Sequence, residues 1–148
     1  MKKHLDNESK ILYFNRVSLS DDVKMATVKL RPGESSLFHF HTITRDTFYI
    51  IAGCLSVTLL VDIESDVTAY HHFGSHEFEI VQHLQPVPKG KRWEKHTLNA
   101  GDSFVIHPNI VHCAANDSEQ VCEFLCIEGV GAYDFIEANI QQDTSHRV

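Results

Sequence analysis

Apolar and polar residues alternate along most of this chain with a period of two, in runs too short for helices. Segments 10–19, 23–30, 36–41, 46–51, 55–61, 67–73, 77–82, 103–106, 111–115 and 121–127 are rich in β-branched and aromatic residues. Each is predicted to be a strand. Turn signals separate them, among them Pro32-Gly33, Ala52-Gly53, Gly74-Ser75, Gly101-Asp102 and Pro108-Asn109. Short strands broken every 8–12 residues or so predict an all-β sandwich or closed barrel. The stretch 84–94, LQPVPKGKRWE, breaks the pattern and reads as a long surface loop carrying Lys89, Lys91 and Arg92 beside Trp93. Residues 133–140 read as a short strand or a pair of helical turns, and the polar tail 141–148 as frayed. With no internal repeat, residues 1–148 form one domain with a barrel core over about 10–139.

Charge narrows the choice of partners. The chain carries 13 basic and 20 acidic residues, a net charge of −7. That balance disfavours nucleic acid and anionic membranes as partners and leaves a small molecule as the expected ligand. No apolar run approaches the roughly 20 residues of a membrane span. The opening MKKHLDNESK has no apolar segment of a secretory signal. None of Cys54, Cys113, Cys122 and Cys126 stands in a CxxC pair. On one strand Cys122 and Cys126 would lie about 13 Å apart, too far for a disulfide. A reduced, cytoplasmic protein is expected.

Eleven histidines are present. His4 and His146 lie near the termini, and His71, His72, His76 and His83 flank a predicted hairpin where an exposed polar face is expected. His96 and His107 lie near a second histidine motif and are candidates to support it. His39 and His41 differ, because they alternate with Phe38 and Phe40 in SSLFHFH. On a strand their Cα atoms would be about 6.6 Å apart on one face. Two imidazoles so placed converge on one ion, or else face water while the phenylalanines face the core.

Their surroundings favour the ion. Five residues separate Gly33 from His39, four separate His41 from Asp46, and six separate Asp46 from Gly53. Further on, Gly101 is followed by His107, Asn109, His112 and Asn116. These spacings resemble the two motifs of the cupin superfamily, over residues 33–53 and 101–116. The departures are Asp46 where the family has glutamate, His107 where it has proline, and Asn109 where it has glycine. Asparagine tolerates a left-handed backbone nearly as well as glycine, and Pro108 supplies the turn's fixed φ.

The resemblance implies a double-stranded β-helix, a jelly-roll barrel with a metal site inside. Carried over residue by residue, the ligands are His39, His41, Asp46 and His112. Imidazoles with one carboxylate suit a divalent transition metal (Fe, Mn, Ni, Co, Cu or Zn) rather than calcium or magnesium. Four ligands on an octahedral ion leave two positions open. Aspartate is one methylene shorter than the family's glutamate, so Asp46 either ligates directly or acts through water or a histidine. Phe48, Ile50, Phe104 and Ile106 are expected to form an apolar collar, and Arg45 to point outward. His96 and Glu123 are the candidate proton carriers. Three classes of function stay open: a metal-dependent isomerase, lyase or dioxygenase acting on a small keto acid, hydroxy acid or sugar; a ligand-binding or sensor module without turnover; and a metal-free structural or sugar-binding barrel. Phe38, Phe40 and Tyr49 suggest a homodimer face.

Overall fold

A computed structural model of the chain describes residues 3–5, 13–19, 23–65, 68–74, 77–129 and 134–142. No helix occurs among them. The first strands are β1 (Lys3–Leu5), β2 (Tyr13–Leu19), β3 (Val23–Leu30), β4 (Glu34–Ser36) and β5 (His39–Phe40). After them come β6 (Arg45–Ala52), β7 (Cys54–Asp62), β8 (Tyr70–Phe73), β9 (Glu77–Val81), β10 (Leu84–Gln85) and β11 (Lys91–Asn99). The last are β12 (Ser103–Ile106), β13 (His112–Ala115), β14 (Cys122–Gly129), β15 (Ile136–Glu137) and β16 (Gln141–Gln142).

One sheet runs β1-β4-β13-β7-β11-β9, with β5 joined to β13 and β15 to β5. The other runs β2-β3-β14-β6-β12-β8. The main core draws on both sheets: Val28, Phe48, Ile50, Phe104 and Phe124 from one, Leu55, Val57, Leu59, Leu98 and Ala114 from the other. Side chains alternate across each strand, so one face of each sheet supplies this shared interior. The double-stranded β-helix expected from the two motifs is the architecture observed.

Two turn positions in the motifs have clear physical reasons. Gly53 adopts φ +79°, and a Cβ there would lie 2.6 Å from the Val121 carbonyl oxygen, so only glycine fits. Asn109 takes a left-handed φ of 66°, as the departure from glycine in the motif required.

Only the middle of segment 84–94 is a surface loop, residues 86–90, which are exposed and outside any strand. Its ends contribute β10 and the start of β11, a central strand paired with both β7 and β9. Trp93 is fully buried, in an outer cluster with Val81 and Leu84 against which Phe38, Leu60, Val111 and Ile140 pack. Phe38 meets Trp93 edge-on at 5.2 Å between ring centroids. Phe38 is half-buried, whereas Tyr49 stays 47% exposed. Residues 136–137 form a strand, and Gln141–Gln142 pair with β10 instead of fraying. The remainder of the tail and the strand expected at 10–12 lie outside the described residues. All four cysteines are free. No helix among the described residues is long and apolar enough to cross a membrane.

Candidate metal centre

A polar level crosses the barrel. Across the six-stranded sheet, Lys24, Glu128, Asp46, Ile106 and Tyr70 stand in register on β3, β14, β6, β12 and β8. Across the other sheet, His39, His112, Leu59 and Glu94 stand in register on β5, β13, β7 and β11. Two contacts join the rows. Tyr70 Oη donates to Glu94 Oε1 at 3.2 Å, and His112 Nε2 donates to Asp46 Oδ2 at 2.9 Å.

His39, His41, Asp46 and His112 are all buried, and each offers a ligand atom within 4.8 Å of the others. The four residues named from motif spacing are therefore brought together. The backbone fixes each ring: His39 Nδ1 donates to Leu37 O at 2.7 Å and His112 Nδ1 to Ile110 O at 2.8 Å. His41 Nδ1 donates to the Asp134 carbonyl, and Asp134 Oδ1 accepts from the Thr42 backbone N–H at 2.9 Å. With every Nδ1 committed as a donor, Nε2 is the atom each ring turns inward, and in the neutral ring it carries a lone pair.

Asp46 Oδ2 accepts from His41 Nε2 at 3.1 Å as well as from His112. Burial opposes charge on both partners, but the Asp46 carboxylate wins and raises His41 to about 9. The same hydrogen bonds, from His112 and then His41, hold Asp46 well below the usual carboxylate range despite burial. Burial, then the charge on His112, lowers His39 to about 3. Asp46 Oδ1 is buried with no N–H or hydroxyl donor. Three Nε2 atoms and a carboxylate with a spare oxygen, aimed at one place, fit a single divalent transition metal.

Three neighbours were not legible from spacing. Phe135 stacks on His39 at 4.1 Å between centroids and Asp134 anchors His41, because the chain returns through β15 to cover β5. Glu128 is 9% exposed, and its Oε2 lies 3.7 Å from His41 Nε2. Its Oε1 lies 3.7 Å from Nζ of buried Lys24. Burial and then Asp46 raise Glu128 to about 8. Cys126 adjoins it, with Sγ 4.0 Å from Glu128 Oε1. Burial, reinforced by Asp46 and Glu128, pushes that thiol well up, so it stays protonated and a poor ligand.

The two proton-carrier candidates lie outside the ligand cluster. Glu123 sits on the outer parity of β14, opposite Lys29, while Cys122, Phe124, Cys126 and Glu128 take the inner one. His96 is fully buried one step below the polar level. Its Nε2 donates to Glu94 Oε1 at 3.1 Å, and its ring packs on Tyr70, Phe78 and Phe104. Glu94 in turn holds Arg92 through both Nε (2.9 Å) and Nη2 (2.7 Å). His107 faces His71 edge-on at 4.9 Å, outside the ligand cluster. Phe48, Ile50, Phe104 and Ile106 are buried in the core. Arg45 is exposed, as expected.

A cavity of about 550 Å³ lies between β7, β8, β11 and the turn into β13. Tyr70, Glu94 and Ile110 are among the residues lining it, which places it beside the polar level. Burial, then Glu94, raises Tyr70 to about 12, so its hydroxyl keeps its proton.

Comparison with known proteins agrees with this architecture. A family model described as Cupin matches residues 18–131. No curated protein sequence matches the chain. Among solved structures, a variant of oxalate decarboxylase from Bacillus subtilis aligns with TM-score 0.54 and 20% identity, covering 80% of this chain and 24% of its own. An uncharacterised conserved protein with a double-stranded β-helix domain from Klebsiella pneumoniae aligns with TM-score 0.53 and 20% identity, covering 86% of this chain and 84% of its own. A formate complex of oxalate decarboxylase from Lactobacillus farciminis aligns with TM-score 0.52 and 20% identity, covering 79% of this chain and 27% of its own. The chain thus spans about a quarter of the length of these decarboxylases. With a histidine from each of its two motifs on neighbouring strands of one sheet, and a family model matched over most of its length, the chain belongs to the cupin family.

Proposed function

We propose that this protein is a metal-dependent enzyme acting on a small polar metabolite, an oxyacid or a sugar. His39, His41, Asp46 and His112 would hold the ion. The observation that carries the reading is the convergence of three backbone-fixed imidazoles and a buried carboxylate on one point. The cavity lies at the Tyr70–Glu94 end of the same level, and none of the four lines it. A volume of about 550 Å³ is within the range of small-molecule sites. The oxalate decarboxylases among the fold neighbours act on a small oxyacid, which supports that ligand class without assigning oxalate.

A bound divalent metal would supply Lewis acidity, polarising a ligand oxygen. The chain's own residues would do the rest. Ile110 and Val61 give the cavity an apolar wall, and Tyr70 offers a hydroxyl held in place by Glu94. Glu128, rather than Glu123 or His96, is the acid next to the ligand set.

A second reading is a binding or sensor module without turnover. One observation favours it: Glu94, the buried acid of the cavity wall, already takes hydrogen bonds from Tyr70, His96 and Arg92 and has little capacity to move a proton. The test is to load the purified protein with metal and screen small keto acids, hydroxy acids and aldoses for binding and turnover. Turnover that Tyr70→Phe slows supports the enzyme. Binding without turnover across the panel supports the module.

A further inference from the structure

We propose that Glu128 is a fifth protein donor to the ion, so that the two donor clusters meeting at Asp46 form one site. The inference rests on the metal reading above and extends it. Two groups of side chains have ligand atoms within 4.8 Å of one another: His39, His41, Asp46 and His112, and separately Asp46, Cys126 and Glu128. Asp46 belongs to both.

Geometry puts Glu128 within reach. It is in register with Asp46 on the neighbouring strand, and its Oε2 is 3.7 Å from His41 Nε2. Two donors each about 2.1 Å from one octahedral ion are separated by roughly 3.0 Å when adjacent and roughly 4.2 Å when opposite. The Glu128–His41 separation falls inside that span. Glu128 stands outside the 4.8 Å grouping of the other four, so ligation draws its side chain inward. Lys24 meets the other oxygen at 3.7 Å and so leaves Oε2 to face the cluster.

Charge points the same way. Asp46 and Glu128 are 3% and 9% exposed, side by side in the barrel. Two carboxylates at one buried place repel each other unless a proton or a cation lies between them. Lys24 offsets one negative charge, and a divalent ion bonded to both carboxylates offsets the remainder. Glu128 also answers the problem of reach that Asp46 raises, since a longer carboxylate arrives from the next strand where the shorter aspartate stands. Five donors leave one open position on an octahedral ion instead of two. Substrate would then meet the metal through a single oxygen.

The test is calorimetric titration of metal-depleted protein with Mn²⁺, comparing wild type, Glu128→Gln and the double variant His39→Ala/His112→Ala. The expected result is at least a tenfold loss of Mn²⁺ affinity in Glu128→Gln and no binding in the double variant. Wild-type affinity in Glu128→Gln, with binding lost in the double variant, overturns the fifth donor and leaves the four-ligand site standing. Absence of Mn²⁺ binding by the wild type overturns both. If Glu128→Gln does not fold, a crystal structure of the Mn²⁺-loaded wild type decides. A Glu128 oxygen within about 2.3 Å of the ion supports the proposal, and one beyond about 3 Å overturns it.

Discussion

Two buried polar clusters share one level of this barrel, and they differ in how completely they are satisfied. Around Glu94 the accounts close: one oxygen accepts from Tyr70 and His96, and the other accepts from two nitrogens of Arg92. Around Asp46 they do not. One oxygen accepts from two imidazoles, while the other is buried with no partner unless the carboxyl of Glu128 beside it keeps its proton. A buried network whose members satisfy one another holds a fold together. One that aims several lone pairs at the same place, with charge left over, is built for something that is added. The first cluster reads as structure and the second as a ligand site.

Breaking the second cluster is expected to have the largest effect on binding and little on the fold. The double variant His39→Ala/His112→Ala should remove metal binding in calorimetric titration while circular dichroism still shows a β-rich protein. Loss of the fold in that variant would place the histidines in the structural class with Glu94.

Breaking the first cluster should do the reverse. Glu94→Ala leaves Arg92 and the fully buried His96 without their carboxylate, at a cost of about 2–4 kcal/mol. Denaturant unfolding should show that loss, and metal affinity measured on the folded fraction should be nearly unchanged. A variant that keeps its stability but loses metal would merge the two clusters into one site.

A smaller effect is expected at Asp46. Asp46→Ala should weaken metal binding at least tenfold, a loss that even a residue touching only the ligands produces, whereas Asp46→Glu should keep the ion. Equal affinity in Asp46→Ala and wild type would define a site of three histidines.

The smallest effect is a pH dependence that tells the metal-free and metal-bound forms apart. His41 titrates near 9 in the ion-free fold, above its ordinary 6.5. Its contribution to stability is therefore complete below pH 6.5 and is lost as pH rises through 9. Glu128, raised from 4.5 to about 8, acts in the same direction, because the fold binds its proton more tightly than the open chain does between those values. His39, lowered to about 3, has the opposite sign and removes stability as pH falls below 6.5. Thermal unfolding of chelator-treated protein should accordingly show falling stability from pH 7 to 9. The metal-loaded protein should gain metal affinity over that range, since His41 must surrender its Nε2 proton to bind. Parallel pH profiles for the two forms would contradict the assignment.

The candidate ligands were legible in the sequence through motif spacing. His39, His41 and Asp46 lie within eight residues of chain, and His112 follows from the second motif. Glu128 was legible in principle, since it shares parity with Cys122, Phe124 and Cys126 on β14, whereas Glu123 does not. Glu123, weighed as a glutamate amid apolar neighbours, takes the outer parity opposite Lys29. Strand β11 was hidden by its composition: prolines and basic residues stand at its start, and its inward positions include Glu94 and His96, which look like surface. Their burial depends on partners from β8 and from Arg92, and no spacing within the strand announces them. Asp134 and Phe135 reach the site only because the chain returns along β5, a long-range contact that no local pattern encodes.

The central claim is that the Asp46 cluster is a metal site, and its most direct test is elemental analysis of protein purified without chelator. The account predicts close to one transition-metal ion per chain in the wild type and none in His39→Ala/His112→Ala. A wild type that stays metal-free after incubation with Fe²⁺, Mn²⁺ and Zn²⁺, or a double variant that keeps full occupancy, would contradict it.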